Sequence, residues 1–459
     1  MSTIVEQLSS YVRSLRYEDL PPAVIHQAKR LIADTLGCAL GGCAGEPAQI
    51  ARRLAETVTS STPATVIGSA RPSSPELACF ANGVMMRYLD FNDGYTGNES
   101  GHPSDSIAAA LTAAEVARRD GRELIAATVI AYEVFCRICD MVDLKPLGFD
   151  HVTIGGMAST AAAARLFGLS EAQTREAFNL GIAPNIALYQ TRIGAVSMWK
   201  GCAYANASRN AIFAATLASH GMTGPAPIFE GVGGYFKAVT RGPFSLAPFG
   251  GGTQPFKIME CSIKRFPLGQ YSQTVAEAAL EVRPNIRDVA DIEEIRVGTL
   301  RTAIRLMAGD PEKWRPANRE TADHSLPYTV AVALLYGAVE RRHFDERCLR
   351  DPRLLELAQR VKVEYSEQAE RRAPEAMLCE LALTTRSGQT FRAEVAYHRG
   401  HYRNPMTDGE VEAKFRSLCA DALTPDQTDA LLERLWHLDA ATDIGELLRL
   451  TKIRPQAQE

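Results

Sequence analysis

From its first residues to about Gly224, the chain is a succession of alanine-rich segments with helical periodicity and almost no strand patterns. Several segments carry boundary signals, such as the prolines that open LPPAVIHQAKRLIADTLGCALGG and the glycines that end it. Ser74 is a predicted N-cap, and a further helix is predicted from Ser104 to Gly121. Alanine-rich faces let helix axes approach closely, because little side-chain volume separates them. The pattern predicts a large all-α domain with closely packed central helices.

After about Pro267 the periodicity becomes that of strands. The segments IEEIRVGTL, RVKVEYS, CELALTT and TFRAEVAYH alternate apolar and polar residues and predict three or four strands. A helix, VAVALLYGAVERR, lies between them, and VEAKFRSLCADALTPDQTDALLERLWHL is again helical, with a cap signal at Thr424. We predict a mainly α protein with a large all-α helical domain, residues 1–266 completed by 405–459, and a smaller α+β lid domain, residues 267–404. A cleft between two such domains is a common place for a ligand.

The composition is that of an ordinary globular protein. Its 459 residues are 46% hydrophobic and 23% charged, and 50 basic residues are mixed with 54 acidic ones. A net charge of −4 without a basic stripe argues against nucleic acid as a partner. The N-terminal segment lacks a secretory apolar run, and no apolar run is long enough for a membrane span. We expect a cytoplasmic protein without nucleic-acid or membrane partners.

A concentrated polar segment, LDFNDGYTGNESGHPSD, follows an apolar helix. If that helix ends near Asp90, the carboxylates of Asp90 and Asp93 lie in the loop beyond it. The next helix would begin at residues 102–105 with Ser104 as N-cap, which places free backbone N–H groups and the positive end of the helix dipole beside the His102 imidazole. This arrangement suits a carboxylate ligand next to a proton donor or acceptor, and a well-capped surface loop is the equally weighted alternative.

Four further polar clusters each have a structural explanation as well as a functional one, because surface acid–histidine pairs, extended lysines and helix caps are common. They are Asp150 and His151 before a small-residue helix, Lys200 beside Trp199, Lys264 and Arg265 just before Pro267, and Asp323, His324 and Tyr328 before a buried helix. Together the clusters supply histidines, carboxylates, cations and a tyrosine. That set suits acid–base chemistry on a small polycarboxylate.

The ten cysteines do not form a metal-binding pattern. The only close pair, Cys136 and Cys139, has no second pair or histidine partner at zinc-site spacing, and both fall on one face of an apolar helix. In a reducing compartment such thiols are expected to be buried packing residues. The GGGT stretch from Gly250 lacks the lysine of a phosphate-binding loop and is interpreted as a turn. We expect neither a metal nor another cofactor.

The polar clusters occur in an order that resembles the MmgE/PrpD family. The series is LDFND, GHPSD, DHV, WK followed by ASR, KRFP with SQT, and ADHSLPY, and the resemblance covers the chain from about Asp34 to beyond Tyr328. It implies a mostly helical large domain, a smaller α+β lid and a homodimer. Members of the family dehydrate 2-methylcitrate, decarboxylate cis-aconitate or epimerise iminodisuccinate, all without an iron–sulfur cluster. Among these, the chain is similar to the 2-methylcitrate dehydratase side.

The resemblance also implies roles for individual residues. These are catalytic roles for Asp90, His102, His151, Lys200 and Lys264, with the lysines around substrate carboxylates, and substrate-binding roles for Asp93, Ser104, Arg265, Gln273, His324 and the lid-side Tyr328. Two departures bear on the substrate. Many members have threonine where this chain has Gly94, so a hydroxyl contact is missing or supplied elsewhere. Decarboxylase-like members tend to have a histidine near Ser272, where the SQT of this chain favours the dehydratase side.

Elimination of water is the resulting hypothesis of mechanism. A base removes a proton from the carbon next to a carboxylate, the two lysines stabilise the charge that builds there, and an acid protonates the departing hydroxyl. His102 and His151 can each serve as acid or base, with Asp90 tuning one imidazole. A decarboxylase or isomerase with the same pocket, a noncatalytic carboxylate-binding protein and a helical scaffold with capped loops are the alternatives.

Overall fold

The computed structural model describes residues 2–453, and the predicted fold class, mainly α with a smaller α+β part, is confirmed. The helices of the first part are α1 (Ile4–Ser14), α2 (Pro22–Gly42), α3 (Glu46–Ala55), α4 (Pro75–Tyr88), α5 (Ile107–Val116), α6 (Gly121–Met141), α7 (Val152–Leu166), α8 (Glu171–Ile182), α9 (Trp199–Ser219) and α10 (Tyr235–Ala238). Two short strands, β1 (Tyr95–Thr96) and β2 (Ser100–Gly101), pair within the polar segment that follows α4. Across residues 2–453, no helix has the length and apolar character needed to cross a membrane.

The second part is built on a sheet of β3 (Ile292–Thr299), β4 (Val361–Tyr365), β5 (Cys379–Thr385) and β6 (Thr390–Val395), so all four segments predicted as strands are confirmed. The strand order is β4-β3-β5-β6, with β3 parallel to β4 and the other neighbours antiparallel. The accompanying helices are α11 (Gln273–Val282), α12 (Arg301–Met307), α13 (Pro311–Trp314), α14 (Arg319–Ala322), α15 (Leu326–Tyr336), α16 (Glu346–Leu349), α17 (Pro352–Ala358) and α18 (Glu367–Arg372). Both α11 and α15 pack against the sheet.

Buried apolar side chains form two large clusters. The first draws on residues 4–263 and 406–448, and the second on residues 266–393. The last helices, α19 (Asp408–Cys419), α20 (Pro425–Trp436) and α21 (Ile444–Arg449), therefore return to the first cluster. The predicted domain limits stay a prediction, and the change from one cluster to the other falls at residues 263–266 and 393–406.

Small residues allow the central helices to approach one another closely. A Cβ atom added at Gly83 on α4 would lie 2.8 Å from the Cβ of Ala205 on α9. The thiols of Cys136 and Cys139 are fully buried in α6, as the sequence predicted. Packing at this distance leaves no space for a larger side chain, which explains the alanine-rich pattern.

Two predicted helix boundaries were wrong. The helix predicted from Ser104 to Gly121 begins at Ile107 after a 3₁₀ turn and ends at Val116, and Gly121 instead begins α6 with Asp120 as its N-cap. The helix predicted over residues 330–342 ends at Tyr336, because Gly337 adopts a left-handed conformation with φ +64°.

Candidate active site

A small cavity lies between the two apolar clusters. It encloses about 70 Å³, and most of its lining comes from the loops after α4, α6 and α8. The second part closes it with Gln270, Tyr271, Leu306, Met307 and His324. The polar segment singled out in the sequence therefore faces residues that follow it by more than 160 positions.

Three histidines line the cavity, and each is held through its Nδ1 atom. The contacts are His102 Nδ1 to the carbonyl oxygen of Asp93 at 2.6 Å, His151 Nδ1 to Asp150 Oδ1 at 3.1 Å, and His324 Nδ1 to Asp323 Oδ1 at 2.7 Å. A carbonyl or carboxylate oxygen only accepts hydrogen bonds, so Nδ1 of His102 and of His324 carries the proton. In their neutral form these two rings present an unprotonated Nε2, the atom needed for acid–base chemistry.

The surroundings favour the neutral form of all three rings. Burial lowers the pKa of His151 to about 3 and that of His324 to about 4, and it lowers the pKa of His102 well below the ordinary value of 6.5. Neighbouring cations add to this effect, with Arg87 acting on His102 and Lys200 on His324. The ligand-free site therefore holds three proton acceptors rather than three cations.

Nitrogen NMR of the ligand-free protein tests this state. With ¹⁵N-labelled histidine at pH 5.5, we expect His102, His151 and His324 to be neutral, because their lowered pKa values leave them unprotonated at a pH where an ordinary histidine is mostly charged. His102 and His324 should show the Nδ1–H tautomer, because their Nδ1 atoms donate to oxygen. Histidine-to-glutamine variants assign the signals. Imidazolium shifts for these rings at that pH would contradict the assignment.

Asp90 lies at the centre of a buried cluster of charges next to the cavity. Its carboxylate is 2.7 Å from Arg87 Nη1 and 3.1 Å from Lys200 Nζ, and Lys264 Nζ contacts its Oδ1. Burial raises the pKa of this carboxyl, but Arg87, Lys264 and Lys200 outweigh burial and hold the pKa well below 3.8. Asp90 also has φ +50°, a left-handed conformation that aspartate and asparagine tolerate better than most residues.

The two predicted lysines lie behind Asp90 and outside the cavity lining. Lys200 Nζ also contacts Asp323 Oδ1 at 2.5 Å, and Lys264 Nζ donates to the carbonyl oxygen of Asp90 at 3.0 Å. Burial lowers the pKa of Lys264 to about 8. Lys414 on α19 fixes the same segment, with Nζ 2.7 Å from the carbonyl oxygen of Phe91 and 2.9 Å from that of Lys264.

The same carboxylates offer a geometric metal site that the charges disfavour. Ligand atoms of Asp90, Asp323 and His324 lie within 4.8 Å of one another. Those two carboxylates already contact Lys200 and Lys264, and Arg87 adds a third positive charge. A divalent cation would have to compete with these three cations for carboxylates that are already paired, so this donor set does not fit a metal.

Three other cations line the cavity, and the sequence did not single them out. Arg87 extends from the end of α4, Lys145 pairs with Glu99, and Arg192 Nε donates to Asp150 Oδ2 at 2.7 Å. Arg87 is a charged residue near the end of an otherwise apolar helix, and this feature of the sequence could have marked it as a candidate site residue. Lys145 and Arg192 lie in short 3₁₀ turns between the helices, where the sequence pattern does not distinguish a cavity cation from a surface one.

The helical segment after His102 begins with a backbone N–H group that a side chain of the protein itself, Asp93, already binds. Asp93 Oδ1 accepts the backbone N–H of Ser104 at 3.1 Å, and its Oδ2 accepts the Tyr132 hydroxyl at 2.7 Å. Ser104 is not an N-cap, because its hydroxyl accepts from Asn92 Nδ2 at 2.8 Å and it lies within the 3₁₀ turn. Asp93, whose pKa burial raises to about 6, thus takes the position that the sequence suggested for a ligand carboxylate.

Three predicted substrate-binding residues lie away from the cavity lining. Arg265 is half exposed and pairs with Glu277 at 2.9 Å. The Gln273 carboxamide contacts the backbone of Phe266 at 3.0 and 3.1 Å, and the Tyr328 hydroxyl donates to the carbonyl oxygen of His343 at 2.8 Å. The structure therefore brings Asp90, His102, His151 and His324 together and uses these three residues in packing and surface contacts.

Gly101 allows the approach of the His102 and His151 rings, whose centroids are 5.6 Å apart. A Cβ atom at Gly101 would lie 2.6 Å from His151 Cδ2 and 2.7 Å from Phe135 Cζ.

Gly101→Ala is therefore expected to displace His151 and to cost about 1–3 kcal/mol of unfolding free energy. Denaturant titration measures the cost, and Gly156→Ala is the control, because its added Cβ has no neighbour nearer than 3.5 Å. Equal stability of the two variants would show that Gly101 does not limit the approach.

Comparison with known proteins identifies the family of the chain. The MmgE/PrpD N-terminal domain matches residues 6–247, and the MmgE/PrpD C-terminal domain matches residues 266–438. The chain is 27% identical to a human cis-aconitate decarboxylase, over 98% of this chain and 95% of the relative. It is 28% identical to a 2-methylcitrate dehydratase of Cupriavidus necator, over 91% and 90%, and 26% identical to one of Escherichia coli, over 91% of each chain. Because the two domain matches cover most of its length, the chain belongs to the MmgE/PrpD family.

Proposed function

We propose that the protein is a lyase that acts on a small di- or tricarboxylate without a metal cluster, and that its reaction is dehydration of 2-methylcitrate or a close analogue. One observation carries the proposal: three histidines, His102, His151 and His324, and three cations line a single cavity. The names of the relatives, decarboxylases and dehydratases of such acids, support the same class of substrate.

The cavity cations are the groups proposed to bind the substrate carboxylates. Arg87, Lys145 and Arg192 are buried or partly buried, and charge-assisted hydrogen bonds in such places are strong. Their ordinary partners are Asp90, Glu99 and Asp150, so part of their charge is already balanced. We propose that Lys200 and Lys264 act on the reaction through Asp90, which they keep ionised, rather than through direct contact with the substrate.

His102 is the proposed base. Its Nε2 has a lone pair at neutral pH and would take the proton from the carbon next to a substrate carboxylate. His102 Nε2 lies 4.0 Å from Asp90 Oδ1, so the Asp90 carboxylate would stabilise the imidazolium that forms. The electron pair of the broken C–H bond first moves onto the neighbouring carboxylate as an enediolate-like charge, and it forms the new double bond when the C–O bond then breaks.

His151 is the proposed acid. Its Nδ1 faces the Asp150 carboxylate, which stabilises a protonated imidazole better than the neutral carbonyl oxygen held by His102. The Nε2 proton of His151 passes to the departing hydroxyl, which leaves as water. Binding of a polycarboxylate brings negative charge beside Arg192 and Arg87, two of the cations that lower the pKa of His151, and thereby raises this pKa toward the working pH.

Decarboxylation of cis-aconitate is the second candidate. The 27% identity to the human decarboxylase over nearly the whole chain favours it. The same cations would hold the acid, and one histidine would deliver a proton to carbon after carbon dioxide leaves. Dehydration places a proton on the departing hydroxyl, whereas decarboxylation places a proton on carbon. Analysis of the products distinguishes the two reactions.

Proton NMR of the purified protein with 2-methylcitrate, citrate or cis-aconitate, each with and without a metal chelator, tests the proposal. A vinylic product from 2-methylcitrate that forms equally with chelator is the expected result. Itaconate from cis-aconitate, without reaction of 2-methylcitrate, would replace dehydration by decarboxylation. No reaction of any of the three acids would contradict both candidates.

A homodimer in the cytoplasm remains the proposed assembly and location. Exposed apolar side chains such as Leu188, 61% exposed, and Trp199, 48% exposed, support association with a second copy. Sedimentation velocity measures the mass in solution. A chain that stays monomeric at micromolar concentration would remove the dimer from the proposal.

A further inference from the structure

The lining of the cavity has a charged side and an uncharged side. Its three cations and the carboxylate of Asp150 all belong to the first part of the chain. The second part contributes Gln270, Tyr271, Leu306, Met307 and His324. Among these side chains, only His324 has an ordinary pKa near neutral pH, and burial lowers its pKa to about 4. At neutral pH the second part therefore presents an uncharged lining to a ligand.

The two aliphatic side chains of this uncharged side are neighbours at the end of α12. Leu306 packs against the second apolar cluster, is only partly buried and lines the cavity. Met307 is almost fully buried beside it. A Cβ atom added at Gly269 would lie 2.8 Å from Met307 Cε and 3.3 Å from His324 Nε2, so both side chains approach this glycine closely. The apolar surface therefore adjoins one of the three histidines of the site.

This division of the lining restricts how an acid can lie in the cavity. Carboxylates of a ligand are attracted to the arginine and lysine side chains of the first part. A carboxylate turned toward Leu306 would lose water without gaining a hydrogen bond, which is unfavourable. A hydrocarbon group in the same place removes apolar surface from water on both the ligand and the leucine. The group that fits against Leu306 is therefore an alkyl substituent.

We propose that Leu306, together with Met307, is a specificity-determining residue that binds a small alkyl substituent of the acid, so the site prefers alkylated polycarboxylates to unsubstituted ones. The inference rests on the proposed function, since it takes the cavity to be a polycarboxylate site. It also bears on the two candidate reactions, because 2-methylcitrate carries a methyl substituent and cis-aconitate carries none. Contact of the alkyl group with Leu306 and of the carboxylates with the cations fixes the orientation of the acid.

Calorimetric binding of two acids that differ by one methyl group tests the preference without turnover. Succinate and methylsuccinate have the same two carboxylates, and neither has a hydroxyl that could leave as water. We expect the wild type to bind methylsuccinate about 4-fold more tightly, the effect of removing one such group from water, and the ratio to fall to about one in Leu306→Asn. Leu54→Asn, the same change at an exposed residue of α3 outside the cavity lining, is the control and should keep the wild-type ratio.

A smaller side chain at position 306 should shift the preference to a larger substituent. Leu306→Ala leaves space for a longer alkyl group, so the affinity for ethylsuccinate relative to methylsuccinate should rise about 4-fold over the wild-type ratio. Leu306→Val removes a single methylene group, should give an intermediate ratio and decides the question if the alanine variant does not fold, which thermal unfolding reports. Equal losses of affinity for both acids would overturn the inference, since Leu306 would then support the wall without distinguishing substituents.

The outcomes separate this inference from the proposed function. A methyl preference that disappears in Leu306→Asn supports alkyl recognition even if the protein converts neither 2-methylcitrate nor cis-aconitate. Conversion of 2-methylcitrate with an unchanged methyl preference in Leu306→Asn would overturn alkyl recognition and leave the lyase proposal standing. A wild type that binds succinate and methylsuccinate equally, or binds neither, would also overturn it.

Discussion

Asp90→Asn is expected to lower the free energy of unfolding by about 3–5 kcal/mol, because removal of one member of a buried ion cluster leaves its partners uncompensated. Arg87, Lys200 and Lys264 all contact this carboxylate, and Arg87 and Lys264 are almost fully inaccessible to water. Asparagine keeps the shape of the side chain and tolerates the left-handed conformation at position 90. The substitution therefore removes charge with little change in packing or backbone strain.

Urea titration at pH 7, followed by circular dichroism, measures the loss. Asp143→Asn, the same change at an exposed position, is the control and should stay within about 0.5 kcal/mol of the wild type. Asp90→Asn combined with Lys264→Met should recover part of the stability, because one uncompensated cation is removed with the carboxylate. An Asp90→Asn protein as stable as the control would show that the three cations do not depend on this carboxylate.

His102→Gln is expected to lower kcat/KM on the converted acid by about 10²- to 10⁴-fold, the usual contribution of a positioned acid or base. Glutamine can still donate to the carbonyl oxygen of Asp93, which His102 Nδ1 contacts at 2.6 Å, but it has no basic nitrogen. The fold should therefore survive while proton transfer fails. Steady-state kinetics and a thermal unfolding curve report the two quantities, with His220→Gln at an exposed position as the control.

Deuterium exchange separates the two proposed roles. In heavy water, His102→Gln should fail to exchange the substrate proton next to the carboxylate. His151→Gln should retain some exchange but release little product, because the hydroxyl no longer receives a proton. The opposite pattern would exchange the roles of His102 and His151, and unchanged kcat/KM in both variants would remove the histidines from the reaction.

Local patterns account for the parts of the fold that were predicted correctly. The Ser74 cap of α4 and the capping box at Thr424 are formed, and each alternating segment after Pro267 became a strand. These features depend on residues within a few positions of one another, so periodicity and capping chemistry report them directly. The error at Ser104 has a tertiary cause, because the carboxylate that meets its backbone N–H comes from Asp93, eleven positions earlier and on the far side of the β1–β2 hairpin.

By itself, the sequence determined the mainly helical architecture, the strand segments and the chemical types gathered near the site: Asp90, His102, His151 and His324. Only the tertiary structure decided which cations face the cavity. Lys200 and Lys264 lie behind Asp90, whereas Arg87, Lys145 and Arg192 line the space beside the histidines. The physical reason is that side-chain identity and helical period are local properties, while a cavity between two apolar clusters is formed by segments far apart in the chain. Which charge faces that cavity depends on how the two clusters pack and on which carboxylate each cation meets there.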